Sequence, residues 1–539
     1  LQIFSISVFA QTPTWEKYIA SDASLQPTGF ANDGSRILVK DSLFITPSMM
    51  IAKWIRKINS DGSLAWSVLF KGKDIISGIT TNKIMIDAAG NTYIAGRVKG
   101  TVYYGTDSLK STFPSVSNLF LAKFNATGSI MWKWQSSHLN VNFAQDDEFF
   151  HAVLKGNSIY VSGNAKGRSL VVDGDTFPQT INSAINKLIV AKFDTDGDYK
   201  WSILTKDGSV YSEGIDVDDA GNVYVGGSTT GNGNIQFGNS VTITTYDNCH
   251  FYAKINADGV AQAAKIFVIG RTGSKLKSLS VDGAGNIYTA GFCDVLSDVN
   301  SIQVRRNAGY VMKLDNSGAH QWTRVINASL NINGVQNAKY VGGKLYVIAN
   351  PIANMYIQSN ATDSISKSDK GMIVAAYLPD GTLDWNDQGK DAIASSSVSQ
   401  MEVSENKSSI YIGGTYVQAE KFGSIILPTP GANGAYHYGF MQLKIVGGGN
   451  PTSLFETKNT LDVTIFPNPT QNYLHIELNE TVTDGQVEIL NITGQVMLTK
   501  AFSNTSIIEM NNLEFPQGFY FVKVTTKDGS VMRKIMMNN

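Results

Sequence analysis

Short apolar runs broken by polar turns fill this chain, and one phrase returns. AGNIYTAG (Ala284 to Gly291) is a turn followed by a short strand ending in glycine, repeated as AGNTYIAG (Ala89 to Gly96) and AGNVYVGG (Ala220 to Gly227). Seven turns of this kind run from Asp33-Gly34 to Asn406-Lys407, with Gly90-Asn91, Gly156-Asn157, Gly221-Asn222, Gly285-Asn286 and Gly342-Gly343 between them. A second signal alternates with the first: an apolar strand ending in lysine, glycine five residues on, then usually tryptophan. Its clearest copies are LFLAKFNATGSIMW (Leu119 to Trp132) and LIVAKFDTDGDYKW (Leu188 to Trp201). The lysine position falls at Lys57, Lys123, Lys192, Lys254, Lys313, Ala376 and Lys444, a mean period of about 64.5 residues.

Each period predicts four strands, A to D. The turn phrase joins A to B, and the lysine–glycine–tryptophan phrase spans C and D. Gly and Asn at the turns suit tight hairpins because they accept positive φ. A four-stranded antiparallel unit repeated in a ring is a β-propeller blade. Trp15 in TWEKYIA reads as a strand D with no A to C before it, and the last unit has A to C but no tryptophan strand. The pattern therefore predicts an all-β protein with a seven-bladed β-propeller over residues 11–446. Its N-terminal strand would complete the last blade, a three-plus-one closure that removes two open edges.

After Val446, Gly447, Gly448, Gly449, Asn450 and Pro451 read as the start of a linker, residues 447–460. Beyond it, NYLHIEL (Asn472 to Leu478) alternates with period two. Hairpins are predicted around Thr493-Gly494 and Asp528-Gly529. This pattern predicts a small C-terminal β-sandwich over residues 461–539.

Composition narrows the classes. The 539 residues carry 44 Lys+Arg against 45 Asp+Glu, a balance that argues against a nucleic-acid binder. No apolar run is long enough for a membrane-spanning helix. Leu1 to Ala10 is apolar, and Val8 and Ala10 suit the −3 and −1 positions of a signal-peptide cleavage site, so residues 1–10 are expected to be a signal remnant with Gln11 first. Cys249 and Cys293 have neither CxxC spacing nor neighbouring histidines, which leaves pairing open and excludes a zinc site.

Two resemblances follow from these phrases. The pattern D-x-x-G-N-x-Y-x-x-G at Asp87 to Gly96, Asp218 to Gly227 and Asp282 to Gly291 resembles the bacterial seven-bladed propeller (SBBP) repeat family, over roughly Trp15 to Val446. That resemblance implies a fold and says little of activity. FPNPT (Phe466 to Thr470), ILNITGQ (Ile489 to Gln495), LEFPQGFYFVKV (Leu513 to Val524) and GSVMRKI (Gly529 to Ile535) resemble the type A C-terminal sorting domain of the type IX secretion system of Bacteroidetes. The resemblance gives Pro467, Asn468, Pro469, Gly494, Gly518, Tyr520, Gly529, Lys534 and Ile535 as sorting-signal residues. It implies export to the outer-membrane surface or beyond, with the type IX machinery as partner.

Candidate chemistry lies where the repeats differ. DTDGD (Asp194 to Asp198) and DVDDAGN (Asp216 to Asn222) sit at hairpin turns, and an EF-hand loop starting at Asp194 would need Glu at Thr205. The D–A and B–C connections are long and share one face, which makes that face the expected binding surface. On it lie Arg97, Tyr103, Tyr104, Asp146, Asp147, Glu148, His151, Arg168, Tyr436, His437 and Tyr438. Asp146, Asp147, Glu148 and His151 are either a solvated acidic loop or groups for acid/base chemistry. No GxSxG, HExxH or Walker loop occurs. No catalytic residue, metal ligand or cofactor is assigned. The expectation is a secreted or surface, non-catalytic propeller that binds protein or glycan. A carbohydrate-active or other hydrolytic propeller is the first alternative and needs two convergent carboxylates about 5–9.5 Å apart. A structural adhesion or surface-layer component is the second.

Overall fold

The computed structural model describes residues 13–538 except 22–28, 45–49, 140–145, 167–169, 178–184, 239–240, 247, 270–273, 294–296, 300–301, 305–307, 329–334, 351–354, 361–363, 368–370, 390–396, 405, 417–420, 423–424, 427–436, 446–462, 492–494 and 527–528. The signal-remnant and linker expectations therefore lie outside the described residues. Among the described residues every regular element is a β-strand, and no helix is long and apolar enough to cross a membrane. The chain divides into two compact units, Leu1–Gly448 and Gly449–Asn539.

Among its described residues the first unit holds seven sheets built on four antiparallel strands in the order A-B-C-D. Sheet 2 shows the pattern: Gly78–Ile86, Thr92–Lys99, Ser117–Phe124 and Ile130–Gln135. In sheet 7 the fourth place is taken by the N-terminal strand Thr14–Ser21, antiparallel to His437–Lys444. The A strands are Gly29–Phe30, Gly78–Ile86, Glu148–Lys155, Ser209–Val217, Lys275–Val281, Val335–Val341 and Ser397–Val403. Each touches the A strand of the next sheet, and Ser397–Val403 touches Gly29–Phe30.

The turn phrase is a local staple. In sheet 2 the Asp87 carboxylate accepts the Asn91 backbone N–H (2.8 Å), the Asn91 side-chain amide (2.8 Å) and the Tyr93 hydroxyl (3.0 Å). Asp218 and Asp282 repeat the arrangement. Asp, Asn and Tyr of the phrase are thus one hydrogen-bonded turn, with Gly90 at φ +80° where a side chain would be strained.

The second phrase locks sheet to sheet. Trp66, Trp132, Trp201 and Trp322 each donate their indole N–H to a backbone carbonyl in the next sheet's C–D turn: Ala126, Thr195, Ala257 and Pro379, at 2.9–3.1 Å. The glycine two residues on (Gly128, Gly197, Gly259, Gly381) lies flat on the indole, where a Cβ would collide with the ring. Lys123, Lys192 and Lys313 donate to the same turn carbonyls while lying over Tyr93, Tyr160 and Tyr288. Sheet 4 has Ala263 in place of tryptophan, and there the Tyr252 hydroxyl meets Gly318. Trp15 also departs. It lies on the fourth strand of sheet 7 but opposite Leu443 rather than Lys444, and it faces back to sheet 6, donating to Asp387 at 2.8 Å.

The long B–C connections hold short hairpins that four strands per unit did not anticipate. Thr101–Tyr104 with Asp107–Lys110, Ser297–Val299 with Ile302–Val304, and Met355–Gln358 with Ser364–Lys367 each extend the preceding sheet to six strands.

The second unit is a three-stranded sheet (Val463–Phe466, Tyr473–Val482, Thr505–Asn511) and a four-stranded one (Val496–Phe502, Gly485–Asn491, Gly518–Thr526, Gly529–Met537). They share one core that includes Leu474, Ile476, Val487, Ile489, Val522 and Ile535. Cys249 and Cys293 in the first unit are both buried and unpaired with each other.

Candidate functional site

The inner strands supply the site. Six of the seven A strands carry a β-bulge at the same place, between Thr81 and Lys83, Phe149 and His151, Ser212 and Gly214, Leu276 and Ser278, Val335 and Asn337, and Val398 and Gln400. Facing the bulge on strand B are Gly96, Gly163, Gly227, Gly291, Ala349 and Gly414. At Gly96, Gly163, Gly227 and Gly291 a Cβ would run into a carbonyl of the A strand. The glycine that ends the turn phrase thus exists for the bulge. A bulge bends the strand and re-aims its side chains.

Here they are aimed at a common cavity of about 180 Å³, between the six bulged A strands. Its charged lining is Lys83, Glu213, Lys277, Lys339 and Glu402, with His151 beside them. Lys83 and Glu402 form a close ion pair. They also line, with Lys339, a larger cavity of about 620 Å³ toward the A–B turns, so this layer divides the two spaces. Burial pushes the Glu213 carboxyl up to about 7, against the opposing pull of Lys277 and Lys275. Burial likewise lowers Lys277, which rests 5.3 Å from the Phe292 ring. His151 keeps part of its surface open, yet the protein around it, with Lys339 and Lys83 assisting, pushes its imidazole down to about 4. It is neutral at pH 7, and Nε2 lies 3.2 Å from the Ser212 carbonyl.

The acidic run beside the cavity is a brace. Asp146 bonds Arg97 (3.0 Å), Lys99 (3.4 Å) and the Ser117 hydroxyl (2.9 Å). Burial opposes its ionisation, but these three partners hold its pKa below the usual carboxylate range. Asp147 is fully buried, 3.2 Å from His138 Nε2, and accepts the Lys166 N–H at 2.7 Å. Glu148 accepts from Thr80 (2.5 Å) and Asn82 (2.7 Å) and lies 3.6 Å from Arg97. Arg97, Asp146 and Glu148 are therefore brought together, and His151 points instead to the cavity.

The remaining candidates are spread out. Tyr103 is exposed on the hairpin strand Thr101–Tyr104, while Tyr104 is buried and bonds Asp107 at 2.5 Å. His437 and Tyr438 lie on His437–Lys444, and Arg168 and Tyr436 lie outside the described residues. Asp194 accepts the backbone N–H groups of Asp196 and Asp198 and pairs with Lys200 at 2.6 Å, the behaviour of a turn. Sequence reasoning missed Lys83, Glu213, Lys277, Lys339 and Glu402. The signal available was the glycine ending strand B, which marks the bulge opposite.

In the second unit the FPNPT motif clamps the last strand. Asn468 accepts the Met536 N–H at 2.9 Å, and Thr470 exchanges backbone bonds with Met536 and Asn538. Pro467 and Pro469 flank Asn468. Tyr520, buried, donates to the Pro516 carbonyl at 3.0 Å and pairs across the strands with Ile535. Gly518 opens the strand Gly518–Thr526, and Gly529 opens Gly529–Met537, which carries Lys534. Gly494 lies outside the described residues.

Comparison with known proteins gives two family matches. Residues 464–538 match the secretion system C-terminal sorting domain, and residues 205–234 match the beta-propeller repeat. The sorting domain points to a secreted or outer-membrane-attached extracellular protein. No curated protein matches the chain. Solved structures with a likeness include a fungal alcohol oxidase of the AA5 family in complex with copper, 10% identical, covering 98% of this chain and 100% of that one at a TM-score of 0.33. A mitotic checkpoint complex chain is 7% identical, covering 76% and 95% at 0.38. A Pyrococcus horikoshii acylaminoacyl peptidase is 9% identical, covering 87% and 60% at 0.36. Likeness at these scores carries no argument about activity.

Proposed function

We propose that residues 11–446 form a seven-bladed β-propeller closed three-plus-one, and that residues 461–539 send it through type IX secretion to the cell surface or the medium. There it works as a non-catalytic module that binds a protein or glycan at its central cavity. Seven sheets of one strand order support the blade count, and the pairing of Thr14–Ser21 with His437–Lys444 supports the closure.

One observation carries the binding reading. Six A strands with the same bulge bring unlike polar groups, Lys83, His151, Glu213, Lys277, Lys339 and Glu402, into one cavity. Arg97, Asp146, Asp147 and Glu148 stiffen its rim. Their polar atoms are engaged with one another and with His138, Ser117 and Asn82, which favours binding over catalysis for this run. Tyr103 and the strand positions His437 and Tyr438 are assigned to the outer part of the same face.

Screening the full-length protein on glycan and protein arrays tests the reading. A ligand whose capture is lost in a Lys83→Gln/Glu402→Gln double variant is expected. Retention of every captured ligand by that variant would place binding elsewhere. Deleting 461–539 is expected to leave the remainder in the periplasm, and normal surface delivery of the truncation would refute the sorting assignment.

A further inference from the structure

Resting on the binding-module reading, we propose that the cavity takes a small hydroxylated carboxylate, a sugar acid, with Lys339 meeting the carboxylate and the amide oxygens of Asn337 and Gln400 accepting its hydroxyl protons. The cavity, at about 180 Å³, is smaller than the roughly 300–1,000 Å³ of pockets for drug-sized ligands. It suits one sugar-sized group and not a peptide segment.

Charge selects an anion. Three lysines face the cavity against two glutamates. Glu402 is committed to Lys83. Glu213 is held near half-protonation at neutral pH by its burial. Lys277 is occupied by the Phe292 ring and by Glu213. Lys339 has no hydrogen-bond or ion-pair partner among the described residues. Its charge is felt by His151, whose imidazole it helps to keep neutral.

The amides select hydroxyls. Asn337 Oδ1 and Gln400 Oε1 are buried and accept no hydrogen bond from the described residues. Both side chains line the cavity at the position that follows the bulge. A buried acceptor without a donor is costly, so a ligand that donates there is favoured. A bare anion such as sulfate satisfies the lysine and leaves the amides unmet, whereas a sugar acid supplies both. Space for it comes from sheets 4 and 5, where Gly214 and Ser278 stand at the position held by Lys83, His151, Asn337 and Gln400 elsewhere.

The test is calorimetric titration of the full-length protein with sodium D-glucuronate, D-glucose, acetate and sulfate at pH 7. Glucuronate is expected to bind, with glucose, acetate and sulfate each at least about tenfold weaker, glucose for want of the charged hydrogen bond to Lys339 and the two anions because both amide acceptors stay unmet. Lys339→Gln is expected to weaken glucuronate at least about tenfold, and Asn337→Leu, which removes the amide acceptor at similar size, to weaken it about three- to tenfold. No binding of glucuronate up to about 10 mM, equal or tighter binding of sulfate or glucose, or unchanged affinity in Lys339→Gln would each overturn the proposal. If glucuronate fails while an array ligand is still lost in the Lys83→Gln/Glu402→Gln variant, the sugar-acid assignment falls and the binding-module reading stands.

Discussion

The seams between sheets and the wall of the central cavity are built from the same repeats and treat them in opposite ways. At the seams, backbone and side chain recur together: Trp132 on Gly197 and Trp201 on Gly259 are the same contact, with the same carbonyl acceptor two residues before the glycine. On the cavity wall only the backbone recurs. The bulge is at one place in six strands, but the residue after it is Lys83, His151, Gly214, Ser278, Asn337 or Gln400. A repeated contact holds neighbouring sheets together, and a repeated backbone with varied side chains leaves chemistry free to differ.

That contrast is open to attack, most strongly at the seams. Trp322 is buried and bonds Pro379 at 2.9 Å. Trp322→Ala is expected to cost about 3–5 kcal/mol, read by denaturant unfolding. A loss under 1 kcal/mol would mean the seam is not what holds sheets 5 and 6 together. Gly163→Ala places a methyl against the Glu148 carbonyl across the bulge. About 1–3 kcal/mol of destabilisation is expected, the usual cost of overpacking.

On the wall, effects on stability should be smaller and depend on pH. Glu213 has its folded pKa raised to about 7 from an ordinary 4.5. Its neutral form therefore contributes stability fully below pH 4.5, and that contribution is lost as pH rises through about 7. Glu213→Gln should match the parent at pH 4 and exceed it at pH 8 by roughly 1–3 °C in Tm, the gap opening between those values. A gap that is the same at both pH values would show that the carboxyl is not buried as described. Smallest of all, Lys339→Gln should change unfolding free energy by less than about 0.5 kcal/mol, because nothing in the fold leans on it.

How much of this was legible follows the same division. The glycines of the C–D turns were readable from spacing alone, and Gly62, Gly128, Gly197, Gly259, Gly318 and Gly381 all take positive φ. The sorting motifs were readable because FPNPT and the last strand sit far apart in sequence and meet in the fold. Three features were not. The B–C hairpins have strands of two to five residues, too short for an alternation signal. Asp146 to Glu148 read as an acidic cluster because Arg97, which neutralises it, lies about fifty residues earlier on another sheet's strand. The cavity residues were hidden because a bulge shifts the period of two by one residue, so Glu213 and Lys277 leave the inward-outward count. Trp15 shows the same limit, where a bulge after it turns the indole toward sheet 6.

The central claim is that binding belongs to the cavity wall and not to the outer loops. Hydrogen–deuterium exchange of the full-length protein, with and without D-glucuronate, tests it most directly. Added protection confined to peptides covering Gly78–Ile86, Glu148–Lys155, Ser209–Val217, Lys275–Val281, Val335–Val341 and Ser397–Val403 is the predicted result. Protection on the Thr101–Tyr104 hairpin and the other outer connections, with the inner strands unchanged, would contradict it.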